Sequence, residues 1–480
     1  MNLLKSKLIQ DWLNSENIKS LNTNNTKRIL FLEPRGVEVN IFSFAMKYPL
    51  IGPLRMTTIL RQNGYNAIMY HENLAKKDVP IILLKSADIL ILTLLTMTCK
   101  RGYEIAKYYK TLRPDGKVII GGIHPSLNPD EASQYCDQLV IGEGEEIIID
   151  LIEGKFKDKI IKANMIEDLT KLPIPNLNFV YNNRRIKIAP ILTSLGCPFN
   201  CSFCCVTIMF GRRYRRFSIE QIIESIKLYN RKRLFFIDDN FCADRKRTFN
   251  LLKEIRKLKK KYLWIAQVRA DLGKDEELVK EMALAGCRRV FIGFESINQD
   301  SLNEISKNAT IEMYKNSIEV FHKYGIAIHG MFILGFDNDK KDVLKNTLNF
   351  ITKNHIESCQ FLIITPFKGT RFYEEIEENR FITKDTNLYD GNHVIIKPKN
   401  MSSLDLYQGM IWLYEKFYSW YNIFRQLFYD IKTFRLQKIH SIGYRIRKML
   451  NNFFRSIGFK IIIIKLKLKN KKYKKYLSNI

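Results

Sequence analysis

The sequence predicts an α/β protein in which a doubly wound parallel sheet comes first, a partial barrel of six βα units follows, and helices form the last part. Two patterns predict this fold. Short apolar runs alternate with amphipathic stretches along much of the 480-residue chain, and the alternation stops once and then restarts. Strands that alternate with helices form parallel sheets. Six units are fewer than the eight of a closed barrel, so we expect an open one.

The alternation divides the chain into four predicted segments. Residues 28–155 contain apolar runs such as "ADILILTLL", which are typical of buried parallel strands. Residues 156–187 include "KLPIPNLNFVYNN", where prolines and asparagines disfavour a long regular element and favour a linker. Residues 188–385 carry the six βα units of the predicted barrel. Residues 386–480 are predicted to be a helical, basic extension.

The net charge, the first residues and the cysteine content indicate the compartment of the protein and the role of its cysteines. The net charge is +29, and from Arg425 onward sixteen Lys or Arg face one acidic residue, Asp430. The first residues lack a secretory pattern, and the longest apolar run is shorter than the roughly 20 residues that span a bilayer, so we expect a cytoplasmic protein. Nine cysteines in a reducing compartment point to metal binding or chemistry rather than disulfides.

Four of those cysteines lie in "TSLGCPFNCSFCCVTIMFGRRYRRF", which follows the first predicted barrel strand. Cys197, Cys201 and Cys204 offer three thiolates to one metal centre, and Cys205 directly follows the third. Structural zinc prefers four ligands in two pairs, and no second pair follows. A 4Fe–4S cluster takes one cysteine per iron, so three cysteines leave one iron open to an outside ligand.

The motif "CPFNCSFC" at the start of a βα array resembles that of radical S-adenosylmethionine (SAM) enzymes. The resemblance implies that Cys197, Cys201 and Cys204 bind a 4Fe–4S cluster and that the aromatic Phe203 lies beside SAM. The resemblance further implies that SAM chelates the open iron and that an electron from the cluster then cleaves SAM. Cys205 fits no ligand position in the family pattern, and we interpret it as a packing residue.

The same resemblance implies SAM contacts at the carboxyl ends of the later strands, where barrel enzymes place their active sites. Asp238 and Asp239 correspond to contacts with the amino group, and Arg269 suits a carboxylate. In "IGFES", Glu295 is placed for ribose hydroxyls, next to Gly293 and Ser296. The alternative for these polar residues is that some of them only cap helices.

The front segment resembles the cobalamin-binding subclass of radical SAM enzymes, through "TLLTMTCKRGYEIAKYYK", "VIIGGIHPSLNPDEA" and "VIGEGEE". The resemblance implies a Rossmann-like cobalamin-binding domain whose loops contact the corrin. The predicted contacts are Thr93, Thr96, Thr98, Gly121, Gly122, His124, Gly142 and Gly144. Glycine loops at this edge of a sheet would equally suit a nucleotide, although the spaced-glycine dinucleotide fingerprint is absent. A domain that has lost cobalamin is a further alternative.

Neither His71 nor His124 has the Asp-x-His-x-x-Gly context of a lower axial cobalt ligand. The resemblance therefore implies base-off cobalamin with no protein histidine below the cobalt. We interpret His124 as a hydrogen-bonding residue of a cofactor loop rather than as an axial ligand.

The leading functional hypothesis is a cobalamin-dependent radical SAM C-methyltransferase that acts on an unactivated carbon of a small or lipid-like substrate. The aromatic-rich stretch after residue 386 resembles the extension of a subgroup that includes hopanoid methylases. A flavodoxin or ferredoxin is the expected reductant. The basic tail is suited to an anionic membrane surface, although a solvated tail is the alternative.

Three rival functions remain to be compared. A ring-forming or oxidative enzyme would use the same cofactors, as the anaerobic cyclase of chlorophyll synthesis does. A tRNA methylthiotransferase needs three more cluster cysteines in its front domain, and only Cys99 and Cys136 precede Cys197. In a non-enzymatic metal-binding or nucleic-acid-binding module, the acidic residues and glycines at the strand ends would have no function. We therefore do not expect nucleic acid as a partner.

Overall fold

The computed structural model describes residues 6–14, 27–36, 47–433 and 442–479, without the side chain of Tyr444. Residues 37–46 of the predicted front domain and 434–441 of the predicted extension lie outside the described residues. The chain forms two compact units. Unit 1 comprises Met1–Thr193, Arg215–Arg231 and Asp385–Asp390, and unit 2 comprises Ser194–Tyr214, Lys232–Lys384 and Gly391–Ile480.

Unit 1 is built on a parallel sheet with strand order β2-β1-β3-β4-β5-β6. The strands are β1 (Arg28–Glu33), β2 (Asn66–His71), β3 (Ile89–Thr93), β4 (Lys117–Gly121), β5 (Gln138–Ile141) and β6 (Ile160–Lys162). All pairings are parallel, and the order reverses at β1 and β3, which confirms the predicted doubly wound α/β fold. In such sheets the loops at the carboxyl ends flank the ligand-binding crevice.

The strands of unit 1 are linked by amphipathic helices whose apolar faces are buried. The helices are α1 (Lys7–Leu13), α2 (Ile51–Gln62), α3 (Glu72–Ala75), α4 (Ile81–Ser86), α5 (Cys99–Leu112), α6 (Ile123–Leu127), α7 (Pro129–Ala132) and α8 (Ile148–Glu153). Strands β1 to β3 supply buried Leu30, Ile68 and Leu90 to the main core of the unit.

The predicted linker contributes one strand that its sequence did not indicate. Ile160–Lys162 pairs in parallel with β5, Leu139 lying opposite Ile160. Only the central Ile161 of this edge strand is buried. A three-residue strand with charged neighbours is too short to show a recognisable periodicity, so the sequence did not predict it. Strand β7 (Ala189–Ile191) lies at the end of the first range of unit 1.

Unit 2 contains five of the six predicted barrel strands, and β7 is the sixth. They are β10 (Arg233–Phe236), β11 (Leu263–Val268), β12 (Cys287–Glu295), β13 (Ala327–Leu334) and β14 (Ser358–Ile363). These five pair in chain order and in parallel, as an open α/β barrel sheet requires. The short strands β8 (Ser194–Leu195) and β9 (Arg215–Arg216) flank the cysteine loop in sequence.

Helices after each strand complete the βα units, and further helices form the extension. The helices are α9 (Val206–Phe210), α10 (Ile219–Tyr229, in unit 1), α11 (Arg245–Lys257), α12 (Glu276–Leu284), α13 (Gln299–Glu304), α14 (Ile311–Lys323), α15 (Asp342–Lys353), α16 (Arg371–Glu374), α17 (Ser403–Phe417), α18 (Trp420–Lys432), α19 (Ile442–Lys469) and α20 (Lys471–Leu477). Within the described ranges, no helix has the length and apolarity that crossing a membrane demands.

The extension covers the open edge of the unit 2 sheet. The Tyr414 hydroxyl accepts a hydrogen bond from the Phe361 amide and donates one to the Phe361 carbonyl, both at 3.0 Å. Tyr418 does the same with the backbone of Cys359, at 3.0 and 2.9 Å. An uncovered strand edge leaves backbone groups unpaired. Tyr414 of α17 and Tyr418, the residue that caps the end of this helix, therefore take the place of a further strand beside β14.

Candidate active site

The cysteine loop of unit 2 is fixed by backbone hydrogen bonds on both sides of Ser202. The Ser202 amide donates to the Ile305 carbonyl at 3.2 Å, and the Phe372 amide donates to the Ser202 carbonyl at 3.0 Å. The Cys204 amide donates to the Cys201 carbonyl at 3.2 Å, which turns the chain between these two thiols. Phe203 between them is half-buried.

All four cysteines of the loop are free thiols, each half-buried. Burial raises the pKa of Cys204 to about 12 and raises the pKa of Cys197 and Cys205. Among the described residues, the loop cysteines do not form a group whose ligand atoms all lie within 4.8 Å of one another. Three cysteine donors suit a cluster, in which each thiolate binds its own iron.

Gly196 sets the direction of the chain as it enters the cysteine loop. Its φ is +83°, and a Cβ at this position would lie 2.2 Å from the Arg213 carbonyl oxygen. Backbone cannot move aside as a side chain can, so only glycine fits. The position of Cys197, the next residue, depends on this close approach.

We expect Gly196→Ala to reduce iron incorporation several-fold and to lower the urea midpoint of unfolding. Gly154→Ala is the matched control, because Gly154 also has a positive φ, +77°, but no atom lies within 4 Å of its added Cβ. The control should lose only the roughly 1–2 kcal/mol of left-handed backbone strain. Equal iron content and equal midpoints for the two variants would contradict this role of Gly196.

The charged residues that are predicted to contact SAM at the ends of β10 and β11 lie next to the cysteine loop. Asp238 accepts a 2.5 Å hydrogen bond from the Ser194 hydroxyl, at the start of the loop. Burial and the Asp238 charge raise the pKa of Asp239 to about 6. The Arg269 guanidinium lies 3.5 Å from the centre of the Phe199 ring and donates to the Lys307 carbonyl at 3.0 Å.

Glu295 ends β12 in an unusual conformation and in a buried ion pair. Its φ is +60°, and its carboxylate accepts a 2.6 Å hydrogen bond from the Lys307 ammonium. A Cβ on Gly293 would lie 2.3 Å from the Glu295 Oε1, so a side chain at this position would displace the carboxylate. Non-glycine residues with positive φ concentrate at functional sites. Ser296 instead accepts a hydrogen bond from the Asn298 amide, as helix-start residues do.

Sequence reasoning missed three residues of this region, Ser194, Phe199 and Lys307. Lys307 lies twelve residues beyond Glu295, in a loop after α13 that carries no motif. Phe199 lies inside the cysteine motif, and its proximity to Arg269 depends on a contact 70 residues apart in sequence. Only the cysteine motif itself carried a signal, and it drew attention to Phe203 instead.

In unit 1, a small cleft opens where β1, β2 and β3 end. Glu33, His71, Leu95 and the predicted cobalamin contacts Thr93 and Thr98 line it. Thr98 Oγ1 hydrogen-bonds the backbone of Leu95, so it also shapes the turn. Thr96 is buried beside them. Hydroxyls at this edge of a doubly wound sheet fit a ligand that lies across the strand ends.

Two of the glycines that are predicted to contact cobalamin, Gly122 and Gly142, also permit close backbone contacts within unit 1 itself. A Cβ on Gly122, φ +108°, would lie 2.8 Å from the Leu94 carbonyl oxygen. A Cβ on Gly142, φ +92°, would lie 2.7 Å from the Ala163 carbonyl oxygen. Gly144 faces the Met56 sulfur, while Gly121 has ordinary space. Glycine at positions 122 and 142 is thus explained by the domain's own backbone, and a corrin contact at these positions stays a prediction.

His124 is enclosed in the domain, with a fully buried side chain. Its Nδ1 lies 3.3 Å from the Asn128 side-chain amide, and its Nε2 lies 3.6 Å from a Glu131 oxygen. The predicted cobalamin contact of His124 would require this side chain to become accessible.

Glu33 and His71 form a buried pair in the cleft of unit 1, with 3.2 Å between His71 Nε2 and a Glu33 oxygen. Burial raises the pKa of Glu33 from 4.5 to about 8 and lowers the pKa of His71 from 6.5 to about 4. Below pH 6.5 the two shifts act on stability in opposite directions and largely cancel. Between pH 6.5 and 8 the folded chain keeps a Glu33 proton that the unfolded chain has lost.

The free energy of unfolding should therefore fall as the pH rises from 6.5 to 8, by up to about 1.4 kcal/mol per pH unit. Glu33→Gln should remove this fall, because the amide does not titrate and still accepts from the Leu50 amide. Urea midpoints of both proteins across this range test it. Parallel pH profiles for wild type and variant would contradict the assignment.

Comparisons with known proteins identify a family for two stretches of the chain. The Radical SAM superfamily matches residues 191–351, and the B12 binding domain matches residues 38–152. Bacteriochlorophyllide d C-12(1)-methyltransferase of Chlorobaculum tepidum is 32% identical over 347 residues, which cover 69% of this chain and 75% of that protein. The anaerobic magnesium-protoporphyrin IX monomethyl ester cyclase of Cereibacter sphaeroides is 26% identical over 440 residues, 82% of this chain and 70% of that protein.

Among solved structures, the cobalamin-dependent S-adenosylmethionine radical enzyme OxsB with aqua-cobalamin bound matches with a TM-score of 0.64. The match is 18% identical and covers 94% of this chain and 73% of that one. It supports the predicted α/β fold. Radical SAM enzymes use SAM and a 4Fe–4S cluster, and the B12 binding domain adds cobalamin, so the three predicted cofactors are confirmed. The chain belongs to the radical SAM superfamily, within the cobalamin-dependent group that joins a B12 binding domain to the radical SAM domain.

Proposed function

We propose that this enzyme is a C-methyltransferase that methylates an unactivated carbon of a small or lipid-like substrate. One observation carries the proposal: the three-cysteine loop and the B12 binding domain occur together in a chain 32% identical to a methyltransferase. Cofactors supply the difficult chemistry, and the protein supplies position and exclusion of water.

In this proposal, Cys197, Cys201 and Cys204 hold the cluster, and Cys205 does not. When bound, the cluster supplies the electron that cleaves SAM, and cobalamin supplies a methyl carrier. A flavodoxin or ferredoxin provides that electron to the cytoplasmic enzyme. The thiols must lose their protons to bind iron, so their raised pKa values favour loading at mildly alkaline pH.

Charged side chains around the loop orient SAM. Arg269 is fixed by Phe199, by the Lys307 carbonyl and by the Asp271 carboxylate, which lies 3.3 Å from its Nε, and its remaining N–H groups are offered to the SAM carboxylate. Asp239 offers an acceptor to the amino group. Glu295 accepts from ribose hydroxyls while Lys307 holds its carboxylate in place. Phe203, Asp238, Gly293 and Ser296 complete the proposed SAM contacts.

We assign residues 28–155 to cobalamin binding, 156–187 to a linker, 188–385 to the radical SAM barrel and 386–480 to the extension. The proposed cobalamin contacts are Thr93, Thr96, Thr98, Gly121, Gly122, His124, Gly142 and Gly144. The threonines that line the cleft at the strand ends give this assignment its main support.

The test of methylation uses SAM labelled in its methyl group and a panel of chlorin macrocycles and polycyclic terpenoids. The proposal expects the label in one product, with a mass gain of one methylene. A cyclase is the second candidate, favoured by the relative that matches 82% of this chain. It predicts SAM cleavage with an oxidised product that carries no label, and that result would replace the proposal.

We also propose that helices α18 and α19 lie on an anionic membrane. Large apolar side chains are exposed along both helices at helical spacing: Trp420, Phe424, Phe428, Ile431, Ile446, Leu450, Phe454, Ile461, Ile464 and Leu468. From Ile442 to Leu477 the sequence has twelve Lys or Arg and no acidic residue. An apolar face flanked by cations is the pattern of interfacial helices. Each cation near an anionic surface adds about 1 kcal/mol.

We expect the protein to float with vesicles that contain phosphatidylglycerol and not with pure phosphatidylcholine. The double variant Phe428→Glu/Phe454→Glu should lose this binding, since these side chains are 69% and 65% exposed. Leu284→Glu, which changes an exposed apolar side chain elsewhere in unit 2, is the matched control and should bind normally. Equal flotation of all three proteins, or none by the wild type, would contradict the proposal.

A further inference from the structure

Unit 1 contains a compact group of three metal-binding side chains, and a metal bound there would take the place of the proposed corrin contact of His124. Cys99 begins α5, His124 lies in α6, and Glu131 lies in α7. Their ligand atoms, the Cys99 Sγ, a His124 ring nitrogen and a Glu131 carboxylate oxygen, all lie within 4.8 Å of one another. Helices that follow two different strands, β3 and β4, thus bring sulfur, nitrogen and oxygen donors to one point.

The strongest sign of a missing partner is the His124 imidazole. Its side chain is 1% exposed, and its Nε2 has no hydrogen-bond partner among the described residues. A buried polar nitrogen without a partner costs about 1–3 kcal/mol. The Glu131 Oε1 lies 3.6 Å away, which is too long for a hydrogen bond. A cation between the two atoms would satisfy both.

The surroundings of the group prepare it for an ion. The Asn128 side-chain amide lies 3.3 Å from His124 Nδ1 and from the His124 carbonyl oxygen, which fixes the ring. A histidine that binds a metal through Nε2 carries its proton on Nδ1 and donates it to an acceptor, so zinc binding requires the Asn128 amide to turn its oxygen toward Nδ1. Cys99 Sγ lies 3.1 Å from the Thr386 hydroxyl, which belongs to the same unit and can donate to a thiolate.

We propose that Cys99, His124 and Glu131 bind one divalent transition-metal ion, Zn²⁺ above all. One thiolate, one imidazole and one carboxylate are ligands that zinc accepts together, whereas Mg²⁺ and Ca²⁺ prefer oxygen. Binding displaces the Cys99 proton to solvent, and no redox change is involved. Glu131 is partly exposed, so its side of the site is open to a water molecule as fourth ligand.

The ion has a structural role in this proposal. It ties the start of α5, after β3, to α6 and α7, after β4. The loops that precede these helices carry Thr93, Thr98, Gly121 and Gly122. Zinc binding therefore holds in place the strand-end loops of unit 1, and a bound ion stabilises the folded domain by mass action.

The test uses the full-length protein with its cluster and cobalamin loaded, exposed to zinc and then dialysed against metal-free buffer. Zinc X-ray absorption is specific for that element, so iron and cobalt do not interfere. We expect one zinc per chain, with one sulfur and the remaining ligands nitrogen or oxygen. We expect unit 1 to melt at a higher temperature with zinc than after chelation.

Cys99→Ser and His124→Gln should each lower zinc affinity by at least about tenfold, since even residues around metal ligands cost 10–100-fold when lost. Cys136→Ser is the matched control, because Cys136 is a free thiol of unit 1 outside the group, and it should retain zinc. Absence of zinc in the dialysed wild type, or zinc bound through several sulfurs, would overturn the proposal. Neither result depends on SAM cleavage, so failure of the zinc site and failure of the proposed methylation are separate outcomes.

Discussion

Cys201→Ala should reduce SAM cleavage to background, whereas Cys205→Ala should retain at least half of wild-type activity. In the proposed assignment, three ligand cysteines leave one iron open for SAM, and loss of any one of them removes one of the three attachments of the cluster. Cys205 directly follows Cys204, is half-buried like the others and is the N-cap residue of α9, so it is the matched control within the same loop. Deoxyadenosine released under anaerobic conditions is the measurement.

Iron content of both variants separates cluster loss from damage elsewhere. We expect Cys201→Ala to hold little iron and Cys205→Ala to hold as much as wild type. Loss of activity in Cys205→Ala with retention in Cys201→Ala would mean that the ligand set is shifted along the loop. Far-ultraviolet circular dichroism checks that both variants are folded.

Glu295→Gln should weaken SAM binding by about 10- to 100-fold. The substitution preserves shape and removes the charge, and hydrogen bonds to charged groups contribute about 1.5–3 kcal/mol, with each 1.4 kcal/mol a factor of ten. The Lys307 ammonium would also lose its ionic partner, 2.6 Å away. The dissociation constant of SAM, measured by calorimetry with the cluster loaded, reports the effect.

Glu304→Gln serves as the control for this charge change. Glu304 also lies in unit 2, where it accepts from the backbone of Asp337 and from Asn338 rather than from a buried lysine. It should bind SAM as wild type does. If Glu295→Gln binds SAM equally well and only its unfolding free energy falls, Glu295 has a structural role alone.

The alternating pattern of the sequence was enough to predict most of the fold. "ADILILTLL" contains β3, and the six predicted barrel units correspond to β7 and to β10 through β14. These predictions succeed because periodicity is a local property. The edge strand β6 was missed because three residues carry no periodicity of their own.

The details of the sites depend on contacts between residues far apart in sequence, which local patterns do not contain. Arg269 meets Phe199, and Thr386 lies 3.1 Å from Cys99 across 287 positions of the chain. The structure also explains the glycine at position 142 differently, because the absence of a side chain leaves room for the Ala163 carbonyl. The resemblance pointed to Arg269 and Gly142, but only the packed structure shows which neighbours these residues contact.

The most direct test is electron paramagnetic resonance of the reduced, reconstituted protein with and without SAM. We predict the signal of a 4Fe–4S cluster in wild type and Cys205→Ala, with a change in the signal when SAM is added. The change arises because an iron without a cysteine is free to bind SAM. A cluster whose signal ignores SAM, or one that forms equally well in Cys201→Ala, would contradict the assignment.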